Sequence, residues 1–461
     1  MSSIGQMSIE ELLQYSYTCD CGRVHSSDIK TVVISSRALA ETPRIIQNGG
    51  WKKPFIIADC HTYTAAGRAV ADHLDAAGIP HSQFVFDDED LVPDEHAIGS
   101  ILMRFDQTCD VILAVGSGTI NDMSRFVSSR LRLPYVIVAT APSMDGYASS
   151  VAPLITNNLK TTYSATVPKA IIADVDVLAQ APQAMIAAGF ADILGKYTCL
   201  VDWKLSALIN GEYYCDAVVD MTKEALARTV ALRDQLAQRD KQAVQRLMEA
   251  LILTGVAMSY VGTSRPASGA EHHLSHFWEM RFLFEGRKPV LHGTKVGIAC
   301  RLVLKLYDYL RSQGLQKEQI PSLPIQYDFA AWEAEIKRAY GKGAAEVLEL
   351  ERTAKKNDLK QRQERLHAAA EHWDEIQELI GTLPTSAELA AHLQAVHGAA
   401  FPQEVGLTAA TVWDGIVYCK EVRNRYTILQ LLWDLGLLEQ YANRLVKEEY
   451  QSDTETCCKC Q

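Results

Sequence analysis

Between residues 30 and 180, short apolar runs alternate with stretches whose apolar residues recur at helical spacing. The apolar runs are predicted strands, at 54–59, 82–86, 110–118, 134–140 and 170–175. The stretches between them are predicted helices, at 62–77, 93–105 and 120–132. Strands that alternate with helices over short loops indicate a doubly wound, mostly parallel sheet. The first part of the chain is therefore predicted to be an α/β domain.

Beyond about residue 181 the pattern changes to long amphipathic stretches that predict helices. These stretches cover 183–210, 213–238, 240–262, 268–285 and 292–313. The charge-rich stretch 343–380 is predicted to be one long solvent-exposed helix. We predict two domains, an α/β domain over 1–180 and an all-α domain over 181–461, with a disordered tail at 450–461.

Composition narrows the class of protein. The net charge of −11 and the pI of about 5.7 argue against a general nucleic-acid binder, because no basic stripe is available for phosphates. No run of 18 apolar residues indicates a membrane span, and the N-terminus lacks the pattern of a secretion signal. The eleven scattered cysteines then favour free thiols in a reducing cytoplasm.

Two groups of cysteines are candidate metal sites. Cys19, Cys21 and His25 in "CDCGRVH" offer three ligands, but zinc requires a fourth, which the sequence does not reveal. We therefore favour a turn at the start of a small sheet. The second group, "CCKC" at 457–460, lies in the predicted tail, where a fortuitous cluster is favoured over a soft-metal site.

A glycine turn follows the predicted strand at 110–118. In "VILAVGSGTIND" the residues Gly116, Ser117, Gly118 and Thr119 lead from the strand into a helix. Amide groups at such a helix N-terminus favour a pyrophosphate, as in dinucleotide binding. The third glycine of the full fingerprint would fall at Asn121, so ordinary turn geometry remains the alternative.

Two other features lie at the predicted carboxyl edge of the same sheet. Asp59 ends an earlier strand, where an acid can accept a hydrogen bond from a ribose hydroxyl and disfavour a 2′-phosphate. The loop "TAPSMDGYASS" contributes the hydroxyl groups of Thr140, Ser143 and Ser149. Plain turn chemistry is the alternative for these three residues. Together they predict a nucleotide site that leans towards NAD.

Three histidines lie within "SGAEHHLSHFWEM". His272 and His276 are four residues apart and share a helix face, whereas His273 is turned by about 100° and is expected to pack or to be solvated. Asp192 lies in an apolar helical stretch, where an unpaired carboxylate is costly. If Asp192 and His292 converge with His272, the three residues offer one carboxylate and two imidazoles to a divalent ion. The alternatives are a pair between Asp192 and Lys196 and a helix start at His292.

The order of these motifs resembles the dehydroquinate synthase/iron-dependent alcohol dehydrogenase superfamily. The segments "TAPSMDGYASS", "GFADILGKYTCLVDWKLS" and "RPASGAEHHLSHFWE" resemble its sn-glycerol-1-phosphate dehydrogenase family, in the AraM-like bacterial branch, and the likeness extends to about residue 440. It implies a dehydroquinate synthase-like fold, with a Rossmann-like domain for NAD(P) and a helical domain for metal and substrate. It also implies that Asp192, His272 and His292 hold the metal.

The same resemblance implies further roles. Asp145 and His276 would contact the substrate, with Asp192 facing it, and His276 and Asp192 would be catalytic. The cofactor would be lined by Gly116, Ser117, Gly118, Thr119, Ile120, Thr140, Ser143 and Ser149. Iron-dependent alcohol dehydrogenases carry a histidine ligand where this chain has Lys196. We interpret Lys196 as part of a phosphate pocket, with a surface lysine as the alternative.

These implications predict a reversible hydride transfer between NAD or NADP and dihydroxyacetone phosphate, giving sn-glycerol 1-phosphate, with zinc or nickel as the metal. A cyclising lyase like dehydroquinate synthase, a dehydrogenase of glycerol or another polyol, and a non-catalytic nucleotide- and metal-binding protein are the alternatives. A cytoplasmic homodimer is the expected assembly.

Overall fold

The architecture was taken from a computed structural model, which describes residues 7–14, 16–157, 159–324 and 327–451. The strands, in chain order, are β1 (Tyr17–Thr18), β2 (Val24–His25), β3 (Thr31–Ser35), β4 (Pro54–Asp59), β5 (Ser82–Phe86), β6 (Val111–Gly116), β7 (Tyr135–Ala139), β8 (Val151–Thr156), β9 (Leu159–Ser164) and β10 (Ala170–Asp174). Six of them form a parallel sheet in the order β3-β10-β7-β6-β4-β5. The pairs β1–β2 and β8–β9 are antiparallel hairpins.

The parallel sheet confirms the predicted fold class. Strands β6, β7 and β10 are buried along their whole length, as expected for apolar runs with helices on both faces of a sheet. The register pairs Gly116 with Ala139 and Ala114 with Ile57. The ends of β4, β6 and β7 therefore lie at one edge, and the loops that follow Asp59, Gly116 and Ala139 start there.

Helices make up most of the rest of the described chain. They are α1 (Ile9–Gln14), α2 (Thr42–Asn48), α3 (Cys60–Thr62), α4 (Arg68–Ala76), α5 (Glu95–Arg104), α6 (Gly118–Leu131), α7 (Val175–Leu178), α8 (Gln183–Leu194), α9 (Lys196–Asn210), α10 (Asp216–Ala231), α11 (Arg233–Ala237), α12 (Lys241–Val261), α13 (Ala270–Phe284), α14 (His292–Ser312), α15 (Phe329–Tyr340), α16 (Ala344–Ala354), α17 (Leu359–Glu371), α18 (Trp373–Gly381), α19 (Ser386–Ala395), α20 (Ala409–Tyr418), α21 (Ile428–Asp434) and α22 (Leu438–Gln451). A π-helical turn, Tyr63–Gly67, separates α3 from α4 within the predicted helix 62–77.

The chain divides into two compact units that are interleaved along the sequence. The first unit contains 1–193, 215–267 and 395–398, and the second contains 194–214, 268–394 and 399–461. The first unit packs one apolar core against the parallel sheet, and the second packs another among helices such as α13, α14 and α21. The assignment of cofactor binding to 1–180 and of metal and substrate binding to 181–461 stays a prediction.

The stretch 183–210 is apolar and long enough to cross a membrane by length and composition alone. Its most apolar window is 83% buried inside the protein, however, and the core helix of a folded protein passes the same test. The stretch is also divided at Gly195 into α8 and α9.

The prediction of one long solvated helix over 343–380 is wrong. The segment forms α16, α17 and α18, and the first break falls at Lys355, whose left-handed φ of 51° ends α16. Leu366 and Ile376 are fully buried, and Arg365 pairs with Asp434 at 2.6 Å. The charged residues therefore do not all face solvent, because buried partners elsewhere in the chain neutralise some of them. The disordered tail predicted to begin at 450 does not begin there, because α22 extends through 451. Residues 452–461 lie outside the described residues.

Candidate metal centre and cofactor turn

The glycine turn lies at the carboxyl end of β6. Gly116 ends the strand, Ser117 precedes the first helical residue, and α6 begins at Gly118. A Cβ at Gly116 would come within 2.5 Å of the side chain of Ile120. Ile120 therefore packs directly on the backbone of Gly116, and a larger residue would not fit there. At Gly118 an added Cβ would meet only Met144, at 3.8 Å. The backbone at the start of α6 thus remains open to a ligand.

The loop after β7 is tied to this turn by hydrogen bonds. Thr140 donates its amide hydrogen to the Gly116 carbonyl at 3.2 Å, and the hydroxyl oxygens of Ser117 and Ser143 are 2.6 Å apart. Tyr147, which the sequence analysis did not single out, donates its hydroxyl to the Ala141 carbonyl at 2.5 Å. The predicted cofactor residues of the turn and the first part of the loop therefore come together.

Ser149, by contrast, has local contacts. Its hydroxyl oxygen accepts the Val151 amide at 3.1 Å, which is ordinary turn chemistry. Arg125, a fully buried residue of α6, holds the loop after β7 in place. Its guanidinium donates to the carbonyls of Val151 at 2.8 Å and of Tyr147 at 3.1 Å. A stripe of polar residues at helical spacing in α6 was the sequence signal for this support: Asn121, Ser124, Arg125 and Ser128.

Asp59 lies at the end of β4, as predicted. Its Oδ1 accepts the amide of Thr62 at 2.8 Å, and its own amide donates to the Thr62 hydroxyl at 3.0 Å, which makes a capping box at the start of α3. The cap holds the carboxylate in one orientation at the edge of the sheet, beside the strand that leads into the glycine turn.

Asp192 lies on α8 and is fully buried. Its Oδ2 accepts the amide hydrogen of Asp145 at 3.0 Å. This contact depends on a close approach between the helix and the loop, because a Cβ at Gly189 would lie 1.8 Å from the Pro142 carbonyl oxygen. The glycine of "GFAD" thus allows α8 to carry its buried carboxylate to the loop.

The histidines lie on two helices of the second unit. His272 and His276 are on α13, and His292 is the first residue of α14. Their ring centroids are 5.2 Å apart for His272 and His292, 5.7 Å for His276 and His292, and 6.2 Å for His272 and His276. His273 is fully buried, so it belongs to the packed interior and is not solvated.

Glu271 orients His272 and was missed by the sequence analysis. The Nδ1 of His272 lies 2.8 Å from the Glu271 carboxylate, which also accepts from the Gly269 amide at 2.7 Å and the Thr198 hydroxyl at 2.6 Å. Burial alone would raise the pKa of Glu271, but the hydrogen bond and charge of His272, with these further donors, hold it below its usual value. An ionised acceptor at Nδ1 leaves Nε2 of His272 as the ligand atom.

One ligand atom from each of Asp192, His272 and His292 lies within 4.8 Å of the other two. We call these three residues the Asp–His cluster. A carboxylate with two imidazoles is a common donor set for a divalent ion, and three protein ligands leave positions for exogenous ligands. The three residues, which the chain separates by 80 and 20 positions, thus have the chemistry and the proximity that a metal requires.

Two cations complete the description. Lys196 is only 1% exposed, so the alternative of a surface lysine is wrong. Arg423, which the sequence analysis missed, has its Nη2 3.4 Å from Nε2 of His276. In the described part of the chain no carboxylate lies within 4.0 Å of the Arg423 guanidinium, and burial lowers its pKa. A partly buried cation without a carboxylate partner suits an anionic ligand.

Known proteins resemble this chain in sequence and in fold. A family model for iron-containing alcohol dehydrogenase matches residues 33–182. A glycerol-1-phosphate dehydrogenase (NAD(P)+) of Geobacillus thermodenitrificans is 33% identical over 436 residues, which cover 94% of this chain and 99% of that protein. Its counterpart from Geobacillus stearothermophilus is 35% identical with the same coverage. The crystal structure of glycerol dehydrogenase from Schizosaccharomyces pombe has a TM-score of 0.58 at 15% identity over 94% of each chain, a likeness of fold alone.

Proposed function

Because the chain belongs to the glycerol-1-phosphate dehydrogenase family, we propose that it is a metal-dependent oxidoreductase that reduces dihydroxyacetone phosphate reversibly to sn-glycerol 1-phosphate with NAD or NADP. The observation that carries this proposal is the proximity of Asp192, His272 and His292, whose ligand atoms lie within 4.8 Å of one another. In a family of dehydrogenases, an open N/O donor set of this kind suits catalysis better than a closed structural site.

The residues fit a divalent ion and a dinucleotide. Asp192, His272 and His292 would hold zinc or nickel, and the amides at the start of α6, with Ser117 and Ser143, would hold the cofactor pyrophosphate. When bound, the metal supplies a Lewis acid for the substrate oxygen and the nicotinamide exchanges hydride with the substrate carbon. The capped carboxylate of Asp59 favours NAD, since a fixed anion repels a 2′-phosphate.

We assign proton transfer to His276. Its Nδ1 lies 3.6 Å from a carboxylate oxygen of Glu279, and its Nε2 faces Arg423. An imidazole in contact with an acid and a cation can take up or release a proton, and general acid–base groups contribute about 10²–10⁴-fold to rate. We expect His276→Gln to lower kcat by this factor with metal content unchanged, whereas His272→Gln loses the metal. Loss of metal from His276→Gln would contradict this division of roles.

Arg423 and Lys196 are the residues we assign to the substrate phosphate. Arg423 contacts His276 and has no carboxylate to neutralise it among the described residues, and Lys196 is a buried cation at the start of α9. Charge-assisted hydrogen bonds contribute about 1.5–3 kcal/mol each, so Arg423→Met should raise KM for dihydroxyacetone phosphate at least tenfold, as an order of magnitude. Lys196→Met is the matched comparison, and an unchanged KM would remove Lys196 from the pocket.

The deciding experiment is a cofactor-linked assay after chelation and after addition of single metals. Stoichiometric oxidation of NADH or NADPH by dihydroxyacetone phosphate, restored by zinc or nickel, is expected. Turnover of a phosphorylated substrate with no net change in cofactor would indicate a cyclising lyase instead. Equal activity with dihydroxyacetone and its phosphate would indicate a general polyol dehydrogenase. Binding of metal and cofactor without turnover of any polyol phosphate would leave a non-catalytic protein.

We also propose that the enzyme is a cytoplasmic homodimer. The eight cysteines in the described residues form no disulfide, which suits a reducing compartment. Closed twofold dimers are the commonest assembly of soluble enzymes. Light scattering of the purified protein tests the dimer, and a mass of 51.0 kDa would indicate a monomer.

A further inference from the structure

The hairpin β1–β2 folds the segment "CDCGRVH" into a tight turn. The amide of Cys19 donates to the Arg23 carbonyl and that of Gly22 to the Cys19 carbonyl, both at 2.9 Å, and Gly22 adopts a φ of 82°. The predicted turn is therefore present. It also brings Cys21 within 3.4 Å of His25, measured from Sγ to Nε2.

The fourth ligand that the sequence did not reveal is Cys215, immediately before α10. Its Sγ lies 3.7 Å from Sγ of Cys19 and 3.4 Å from Nε2 of His25. One donor atom from each of Cys19, Cys21, His25 and Cys215 lies within 4.8 Å of the others, and we call these residues the cysteine cluster. All four belong to the first compact unit.

These separations match the edges of a coordination tetrahedron. With Zn–S bonds of about 2.3 Å and a Zn–N bond of about 2.05 Å, tetrahedral angles give about 3.8 Å between sulfurs and about 3.6 Å between sulfur and nitrogen. The separation of 3.7 Å between Cys19 and Cys215, and the two of 3.4 Å from His25, are close to these values. A disulfide is absent, because bonded sulfurs are about 2.05 Å apart.

His25 is held in the tautomer that a metal requires. Its Nδ1 lies 2.9 Å from the Tyr260 carbonyl oxygen, which can only accept, so Nδ1 carries the hydrogen and Nε2 keeps its lone pair. The ring also stacks on Tyr260, with centroids 5.3 Å apart. One lone pair cannot accept hydrogen bonds from two thiols, yet the sulfurs of Cys21 and Cys215 are equally close to Nε2.

We propose that Cys19, Cys21, His25 and Cys215 bind a structural zinc ion, distinct from the Asp–His cluster. Binding replaces the three thiol protons, which leave to solvent, and gives three Zn–S bonds and one Zn–N bond. Four protein ligands fill the tetrahedron, and His25 and Cys215 are at most 1% exposed, so no position remains for substrate. The ion ties the hairpin to the start of α10 and, through Tyr260, to the end of α12.

Metal content of the full-length protein, purified under reducing conditions, tests this site. The His292→Ala background removes the contribution of the Asp–His cluster. In that background we expect about one zinc per chain, lost in Cys21→Ser and in Cys215→Ser. Cys109→Ser, which alters a buried cysteine outside the cluster, is the matched control and should keep its zinc. Equal zinc in all four proteins would overturn the proposal.

Cobalt provides a second readout that needs no variant to fold. Replacement of zinc by Co²⁺ in the wild-type protein should produce thiolate-to-metal charge-transfer absorption, which an Asp/His/His site cannot give. Absence of that absorption in cobalt-loaded protein would contradict the site, even if the serine variants prove insoluble. Recovery of a metal-free protein two mass units lighter, with Cys19 joined to Cys215, would likewise overturn it and would identify a redox pair.

Discussion

The Asp–His cluster and the cysteine cluster are both groups of potential ligands within 4.8 Å, yet their chemistry differs in two respects. The first offers one carboxylate and two imidazoles and leaves coordination positions open, whereas the second offers three sulfurs and one imidazole and closes the tetrahedron. Hard or borderline donors with open positions suit a catalytic ion, and soft donors in a closed set suit a structural ion. The proximity of ligand residues therefore does not by itself identify a catalytic site.

The two clusters also differ in how their histidines are oriented. His272 faces a carboxylate, Glu271, which has a pKa below its usual value, whereas His25 donates to a neutral carbonyl of Tyr260. An anionic acceptor makes the imidazole a stronger Lewis base and places a negative charge close to the ion. A single substitution of Glu271 can therefore change the basicity of His272. No side-chain substitution can remove the acceptor of His25, because that acceptor is a backbone carbonyl.

Removal of a metal ligand from the Asp–His cluster should show the difference between the two clusters most clearly, because activity should be lost while the structural zinc is retained. His292→Ala should lower kcat/KM at least about a thousandfold, since metal coordination stabilises the transition state by several kcal/mol. Zinc in the cysteine cluster should remain. His96→Ala, an exposed histidine outside both clusters, is the control. Measurement of kcat/KM beside elemental analysis checks the result, and full activity in His292→Ala would break the comparison.

A buried group of charged residues outside both clusters affects the stability of the fold at acid pH. It therefore limits the pH range in which the Asp–His cluster and the cysteine cluster can be compared. Glu421 pairs with Lys356 at 2.8 Å and with Lys420 at 2.5 Å. Burial acts to raise the pKa of Glu421, but the two ammonium charges outweigh it and lower the pKa to about 2.

A depressed carboxyl pKa adds stability above the unfolded value of 4.5, and this stability is lost as pH falls through about 2. The free energy of unfolding should therefore drop by about 3 kcal/mol between pH 4.5 and 2 through this group. Glu421→Gln should be less stable at pH 7 and should lack this part of the acid dependence. Urea unfolding at several pH values checks it, and parallel pH curves would contradict it.

Of the two clusters, Gly189→Ala should disturb only the Asp–His cluster. The added methyl would meet the Pro142 carbonyl oxygen at 1.8 Å and push α8 from the loop, at an expected cost of about 2 kcal/mol in unfolding free energy. Activity should fall while zinc in the cysteine cluster is retained. Gly99→Ala is the matched control, because its methyl meets nothing within 4 Å in α5 and should stabilise by about 0.5–1 kcal/mol.

Glu271→Gln should have the most localised effect, because it leaves the fold and the ligands in place. The amide oxygen can still accept from His272, but the charge is lost, so affinity for the catalytic metal should fall about tenfold to a hundredfold. A competition titration with a chelator measures it. Glu285→Gln, near the end of the same helix, should leave the affinity unchanged, and equal behaviour of the two variants would remove Glu271 from the site.

Local pattern was sufficient for five of the six strands of the parallel sheet and for the helices between them, but it did not predict β3, the hairpin β8–β9 or any helix beyond 380. The strand predicted at 54–59 has these bounds in the structure, where all but its last residue are buried, and the helix predicted at 292–313 is α14, most of whose residues are buried. The glycine turn is also a local feature. The resemblance to the glycerol-1-phosphate dehydrogenase family is confirmed by relatives that match nearly their whole length.

Contacts between distant residues set the limit of prediction. Cys215 lies 190 residues from His25, and nothing around it in sequence indicates a ligand. Arg423 follows His276 by 147 residues, and its meaning depends on that approach. The high charge density of 343–380 led to the prediction of a solvent-exposed helix. The sequence does not reveal that Asp434, a distant residue, neutralises Arg365.

The loop after β7 has a thermodynamic consequence for the cofactor. Helix α8 touches it at Gly189, and helix α12 touches it at Gly255, where an added Cβ would lie 2.4 Å from that of Ala148. A segment covered by two helix backbones gives up its conformational entropy when the protein folds. Association with a dinucleotide then requires little further ordering of the loop, and calorimetry should record a small entropic penalty for this step.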